Sequence, residues 1–317
     1  MRVIEDYHQV LNDFSPKGVA LGNFDGIHRG HQSLLKILKN ECAKRNLLPT
    51  VYTFQNHPGT ILKSCNRSVY PYKITPINLK EKIMDKLGVD LLFLDKFTQD
   101  LMHLSPSEFA KTILVDRLKA KLIVVGEDFR FGYQASGDVD LLSRLGEILG
   151  FHVIIAPPVL EKDIKISSSL IRDSIEKGDI ELANQLLGRP FMMLNRVEKG
   201  FGRGKKMGFP TANLVLEPYQ LIPSEGVYAT QVKVDNTVYM GATSVGKNPT
   251  FNAHEVTIET YIIDSRLMLY EKNIELYFHT KIRSQISYDN INALKNQILE
   301  DVYNIKNYLQ NKTTMIL

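Results

Sequence analysis

Cysteine is scarce: the 317 residues hold two, Cys42 and Cys65, with no CxxC or Cys/His spacing. That excludes a disulfide scaffold and a zinc site, and it fits thiols of a reducing compartment. No apolar run approaches membrane-spanning length, and Met1–Val10 carries charges and a histidine where an export signal would be apolar. A cytoplasmic location is therefore expected. A strong charge of one sign is also missing. The net charge of +4 suits anionic small molecules and makes no case for nucleic acid or membrane as a partner. Internal repeats and low-complexity linkers are absent too.

What is present is enough apolar material for two cores: 44% hydrophobic against 23% charged residues. Through residue 187 short apolar runs alternate with helical patterns. Gly18–Leu21, Leu48–Phe54, Leu91–Leu94, Leu122–Val125 and Val153–Ile155 read as buried strands. His31–Arg45, Leu79–Leu87 and Pro106–Leu118 read as helices. This alternation predicts an α/β, Rossmann-like parallel sheet covered by helices. Two short helices follow, the first capped by Ser169 and stopped at Gly178, the second capped by Asp179 and stopped at Gly188. From residue 188 strand follows strand: Phe191–Val197, Gly226–Val234, Thr237–Val245, Val256–Ile263 and Ile274–His279. This half predicts a small antiparallel barrel or sandwich ending in a helix over Tyr288–Leu309. The expected domains are 1–187 and 188–317.

The string Gly22-Asn23-Phe24-Asp25-Gly26-Ile27-His28-Arg29-Gly30-His31 follows one strand and opens a helix. Glycines let backbone approach a ligand, and a helix start offers free N–H groups to phosphate. His28 and His31 would project there and neutralise charge on a transferring phosphate. The string is neither the GxGxxG nor the GxxxxGK[ST] fingerprint; it looks like the HxGH signature of nucleotidyltransferases, and a satisfied loop pair is the bland alternative. Ser167, Ser168, Ser169 and Arg172, at another helix start, could form a second phosphate clamp or a simple cap.

In the second half Gly200, Gly202, Gly204 and Gly208 alternate with Arg203, Lys205 and Lys206, which suits a polyphosphate or a flexible basic loop. Pro210-Thr211-Ala212-Asn213 follows. On an extended segment Thr211 and Asn213 point the same way, offering two hard oxygens to magnesium.

Gly22–His31, Val125–Gly132, Ser167–Arg172, Leu187–Phe191 and the Pro-Thr-Ala-Asn box resemble, in order, the bacterial bifunctional riboflavin kinase/FAD synthetase family. The resemblance covers nearly the whole chain. It implies that the N-terminal domain transfers AMP from ATP to FMN, and that the C-terminal domain phosphorylates riboflavin with ATP and Mg2+. It places His28, His31, Arg172 and Glu259 in catalytic roles. Gly22, Asn23, Phe24, Asp25, Gly26, Asp128, Ser167, Ser168 and Ser169 would surround nucleotide and flavin in the first domain. Gly200, Gly204, Lys205, Gly208 and Arg283 would bind substrates in the second, with Thr211 and Asn213 on the metal. Glu259 would take the proton of the ribityl hydroxyl.

The second half departs more from the family pattern. Lys205 stands for Arg, Glu271 for Gly, Gln285 for Glu and Tyr288 for Phe, so a weaker kinase than transferase is expected. Alternatives are an FAD synthetase with an inactive kinase domain, another nucleotidyltransferase such as one acting on pantetheine phosphate, and a flavin-binding regulator without turnover.

Overall fold

The computed structural model describes residues 1–5, 15–56, 72–200, 202, 204, 207–247, 256–288 and 290–311. Lys205 lies outside them, as do His57–Pro58 and Asn248–Phe251, two stretches that also resemble the family's motifs. By contacts the chain divides into Met1–Ser167 and Ser168–Leu317.

The first unit is a six-stranded parallel sheet. Its strands are β1 (Arg2–Ile4), β2 (Lys17–Leu21), β3 (Leu48–Phe54), β4 (Leu91–Asp95), β5 (Ala120–Gly126) and β6 (His152–Ala156), in the order β1-β4-β3-β2-β5-β6. β2 is buried at every position, as a central parallel strand covered on both faces must be. Helix α1 (Arg29–Arg45) buries Leu34, Leu35, Leu38 and Cys42. It lies so close that a Cβ on Gly18 would fall 2.2 Å from Cys42 Sγ. One core gathers Val19, Leu21, Tyr52, Phe93, Ile113, Ile123 and Leu142.

The helix expected over Pro106–Leu118 is a short α-turn at Pro106–Glu108 running into a π-helix at Phe109–Arg117. Helix α2 (Ile77–Lys86) buries Leu79, Lys80, Ile83 and Met84. Helix α3 (Val139–Leu149), which the pattern reading passed over, starts on an Asp138 cap and ends at Gly150 in the left-handed conformation. A two-strand hairpin, β7 (Leu160–Glu161) and β8 (Ile164–Lys165), follows the sheet.

The second unit opens with α4 (Ser168–Lys177) and α5 (Ile180–Leu187). Ser169 lies within the first turn of α4, so the cap falls before it and not on it. Asp179 caps α5 by accepting from Leu182 N at 3.1 Å. Gly178 and Gly188 end the helices at φ 81° and 71°. α5 belongs with the strands that follow it: Asn184 accepts from Phe191 N at 2.6 Å and donates to Phe278 O at 2.9 Å.

Those strands are β9 (Phe191–Glu198), β10 (Thr211–Leu214), β11 (Gly226–Val234), β12 (Thr237–Lys247), β13 (Val256–Ile262) and β14 (Asn273–Arg283). They close into an antiparallel barrel, β10-β13-β12-β11-β14-β9. Helix α6 (Ile291–Asn311) lays Ile305 and Leu309 against Val227, Ala229 and Ile263.

Candidate active sites

In the first unit the chain leaves the C-terminal end of β2 and turns into α1. Ligands of open α/β sheets bind at such strand ends. His28 is the N-cap of α1: its Nδ1 accepts from His31 N at 3.3 Å. The two imidazoles stack with centroids 3.7 Å apart, and Phe24 stands 5.0 Å from His31. A Cβ on Gly30 would come within 3.1 Å of the His28 ring, which explains the glycine between the histidines.

His31 keeps part of its ring surface open, while its Nδ1 is buried without a hydrogen-bond partner among the described residues. Burial, then His28, then Lys80 hold its pKa well below the usual histidine value. His31 thus meets a ligand as a neutral imidazole.

Gly22, Asn23, Phe24, Asp25 and Gly26 form the turn itself. Asp25 does not face outward. Its carboxylate accepts from Ile74 N at 3.2 Å and Thr75 N at 3.0 Å, and it is 4% exposed. Asp128 is exposed, and Lys165 of the β7–β8 hairpin reaches it at 3.1 Å and Glu127 at 2.9 Å. Arg29 forms an ion pair with Glu161 of the same hairpin. Ser167 closes the first unit; Ser168, Ser169 and Arg172 lie on α4 and count with the second.

In the second unit a cavity of about 360 Å³ opens on the barrel's flank. Thr211 and Asn213 of β10 line it with Glu259 of β13. Asn213 pairs directly with Glu259 across the ladder, and Thr211 Oγ1 donates to Glu259 at 3.1 Å. Three hard oxygen donors thus share one face, a set that fits magnesium. The intervening Ala212 and Thr260 turn inward, as strand alternation requires. Gly200 abuts this group: a Cβ there would fall 2.2 Å from the Asn213 side chain. Gly202 and Gly204 line the cavity, and Gly208 (φ 94°) turns the chain into β10.

The rest of the lining includes the apolar side chains of Val227, Ala242, Leu294 and Ile298. Arg283 lies on the rim, and Asp301 of α6 grips its guanidinium through Nε at 2.9 Å and Nη2 at 2.7 Å. Gln285 reaches Ser244 Oγ at 3.4 Å. Glu271 takes the left-handed conformation (φ 66°) that a glycine would adopt freely, and pairs with Arg196.

The sequence reading missed Asp301 and, under the first turn, Thr75 and Lys80; Thr53 opens the Thr53–Pro58 stretch that resembles the family's strand end beside the flavin site. Lys80 left a signal, a charge on the same helix stripe as Ile83 and Met84.

A histidine-bearing turn into a helix start at a sheet end, with a separate barrel that sets hard oxygens beside apolar side chains, is the layout of an enzyme of nucleotidyl and phosphoryl transfer. The comparisons agree. The FAD synthetase family matches residues 11–170, and the riboflavin kinase family matches residues 187–309. The bifunctional riboflavin kinase/FMN adenylyltransferase of Buchnera aphidicola from Schizaphis graminum is 36% identical, over 97% of this chain and 99% of its own. The protein of that name from Escherichia coli K12 is 33% identical over 95% of this chain and 96% of its own. A crystal structure described as a macrolide-efflux protein from Streptococcus pneumoniae superposes with a TM-score of 0.86 at 31% identity, covering 96% of this chain and 98% of that one. No helix among the described residues is long and apolar enough to cross a membrane. The chain belongs to the bifunctional riboflavin kinase/FMN adenylyltransferase family.

Proposed function

We propose that this chain makes FAD in two steps, phosphorylating riboflavin at the barrel cavity and then adenylylating FMN at the turn before α1. What carries the reading is one chain holding both the stacked His28–His31 pair at a helix start and the Thr211–Asn213–Glu259 face of a half-apolar cavity.

In the first step Glu259 takes the proton of the ribityl 5′-hydroxyl as that oxygen attacks the γ-phosphorus of ATP, and ADP leaves. The apolar side chains suit the flavin ring and the oxygen-rich face suits the phosphates. Thr211 and Asn213 would hold Mg2+, which neutralises charge on the transferring phosphoryl group when bound, and Glu259 beside them is left as the base.

In the second step an FMN phosphate oxygen attacks the α-phosphorus of ATP, and the bond to the pyrophosphate oxygen breaks. The nucleophile is already anionic, so no base is needed. His28, His31 and the first N–H groups of α1 align and stabilise the charge. We assign the transfer to 1–187 and the kinase to 188–317, and place both reactions in the cytoplasm. Neutral Gln285 on the cavity supports the slower rate we expect of the kinase.

A chromatographic assay with ATP and Mg2+ tests this. Wild type should convert FMN to FAD faster than it phosphorylates riboflavin. Glu259→Gln should still make FAD from FMN, but its riboflavin phosphorylation should fall by roughly 10²-fold or more. FAD from neither flavin would overturn the function, and an unimpaired Glu259→Gln would remove Glu259 as the base.

A further inference from the structure

The turn before α1 has a costly shape. Phe24 (φ 47°) and Ile27 (φ 44°) both lie in the left-handed region, which a β-branched side chain rarely enters. The Asn23 carbonyl accepts two hydrogen bonds, from Lys80 Nζ at 2.8 Å and from Thr53 Oγ1 at 3.1 Å. Lys80 Nζ also reaches Thr53 Oγ1 at 3.3 Å. Past Phe24, Asp25 is fixed by Ile74 N and Thr75 N, and Gly26 N donates to Thr75 Oγ1 at 3.0 Å. The turn is thus pinned on both sides of the residue whose ring borders His31.

Lys80 is a costly pin. It is 4% exposed on a helix face shared with Leu79, Ile83 and Met84, where an apolar residue would pack without desolvating a charge. The charged groups facing it are Asp25 of the turn and Lys73 of the preceding segment, and it acts in turn on His31 of α1. Burial outweighs Asp25 and brings its pKa down to about 8. Core stability therefore does not explain a lysine here, whereas its bond to the turn does.

We propose that Lys80 is a positioning residue for AMP transfer: its buried ammonium clamps the Asn23 carbonyl and so fixes the turn that brings Phe24, His28 and His31 together. This rests on Gly22–His31 being the transfer site. The test is Lys80→Met in the full chain.

Its kcat for FAD formation from FMN should drop roughly tenfold or more. Its ATP affinity by calorimetry should stay within about threefold of wild type. Its melting temperature should not fall, and riboflavin phosphorylation by the same preparation should be unchanged. An unaltered kcat overturns the proposal. So does a loss of rate matched by lost ATP binding and a lower melting temperature, the pattern of a merely structural residue.

If Lys80→Met does not fold, Thr53→Val decides. It keeps the ammonium and removes the bridging hydroxyl, and kcat should fall about threefold or more with ATP affinity unchanged; a wild-type kcat sinks the idea. His31→Asn separates the two levels. Full transfer activity there would mean that the turn is not the transfer site. Its loss beside an active Lys80→Met would remove Lys80 alone.

Discussion

At the scale of single residues, the first site is organised around groups that burial keeps from their usual charge. His31 stays neutral because burial around its Nδ1 penalises the charged form, with His28 and Lys80 adding repulsion. In the unfolded chain it binds a proton below about pH 6.5. The unfolded state then holds more protons than the native one, so acid removes stability as pH falls through that value.

Lys80 gives the opposite flank. Its folded pKa of about 8 lies below the ordinary 10.5. Between those values the native state is neutral while the unfolded chain is charged, so the desolvation penalty present below pH 8 is relieved as pH rises. The relief amounts to about 3 kcal/mol. Chemical unfolding of the first unit across pH 5–10.5 should show both slopes in wild type. His31→Asn should flatten the acid one and Lys80→Met the alkaline one. Equal slopes in wild type and variant would remove that residue as the source.

At the scale of elements, α6 is held to the barrel by its buried stripe, by a two-pronged ion pair and by Lys306 with Asp264 at 2.6 Å. Asp301 is 4% exposed and accepts from two nitrogens of Arg283, and Gln297 adds a bond at 3.2 Å. Asp301→Ala would strand a mostly buried guanidinium. Removing one partner of such a pair costs about 3 kcal/mol. Because Leu294 and Ile298 of α6 line the cavity, riboflavin phosphorylation should weaken with it. Urea unfolding and the kinase rate of this variant check both, and wild-type values for both would show that the pair is dispensable.

Elements were legible where burial wrote a pattern. The parallel strands appear as apolar runs because both sheet faces are covered, so Leu48–Phe54 was read to its ends. Strand spacing alone read as barrel or sandwich, and the family resemblance implied the barrel that is found; closure turns on β10, four residues that pair with β9 just before it and with β13 much later in the chain. The three residues of β1 carry too little periodicity to be seen at all. The His28–His31 turn and the Thr211–Asn213 face were legible because local spacing fixes them. Lys80, Thr75 and Asp301 were not, since each meets its partner only through tertiary packing.

At the scale of the whole molecule, the change of sequence pattern falls at 188, whereas the contacts divide the chain after Ser167. The difference is α4 and α5, helices by pattern that serve the barrel by packing. Ile180, Ala183, Leu186 and Leu187 are all buried, and Asn184 joins the backbones of β9 and β14 by hydrogen bonds. Each large apolar side chain so buried is worth about 1.5–3 kcal/mol, a large share of what a small barrel has in reserve. A polypeptide of 168–317 should therefore fold and phosphorylate riboflavin at the rate of the full chain. One of 188–317 should melt well below it or fail to fold, because Phe191 N and Phe278 O lose their partner and an apolar face is bared. Thermal unfolding with a kinase assay on both pieces decides the matter: equal melting temperatures would mean that the helices only join the halves, and a loss confined to the shorter piece would make them part of the kinase fold.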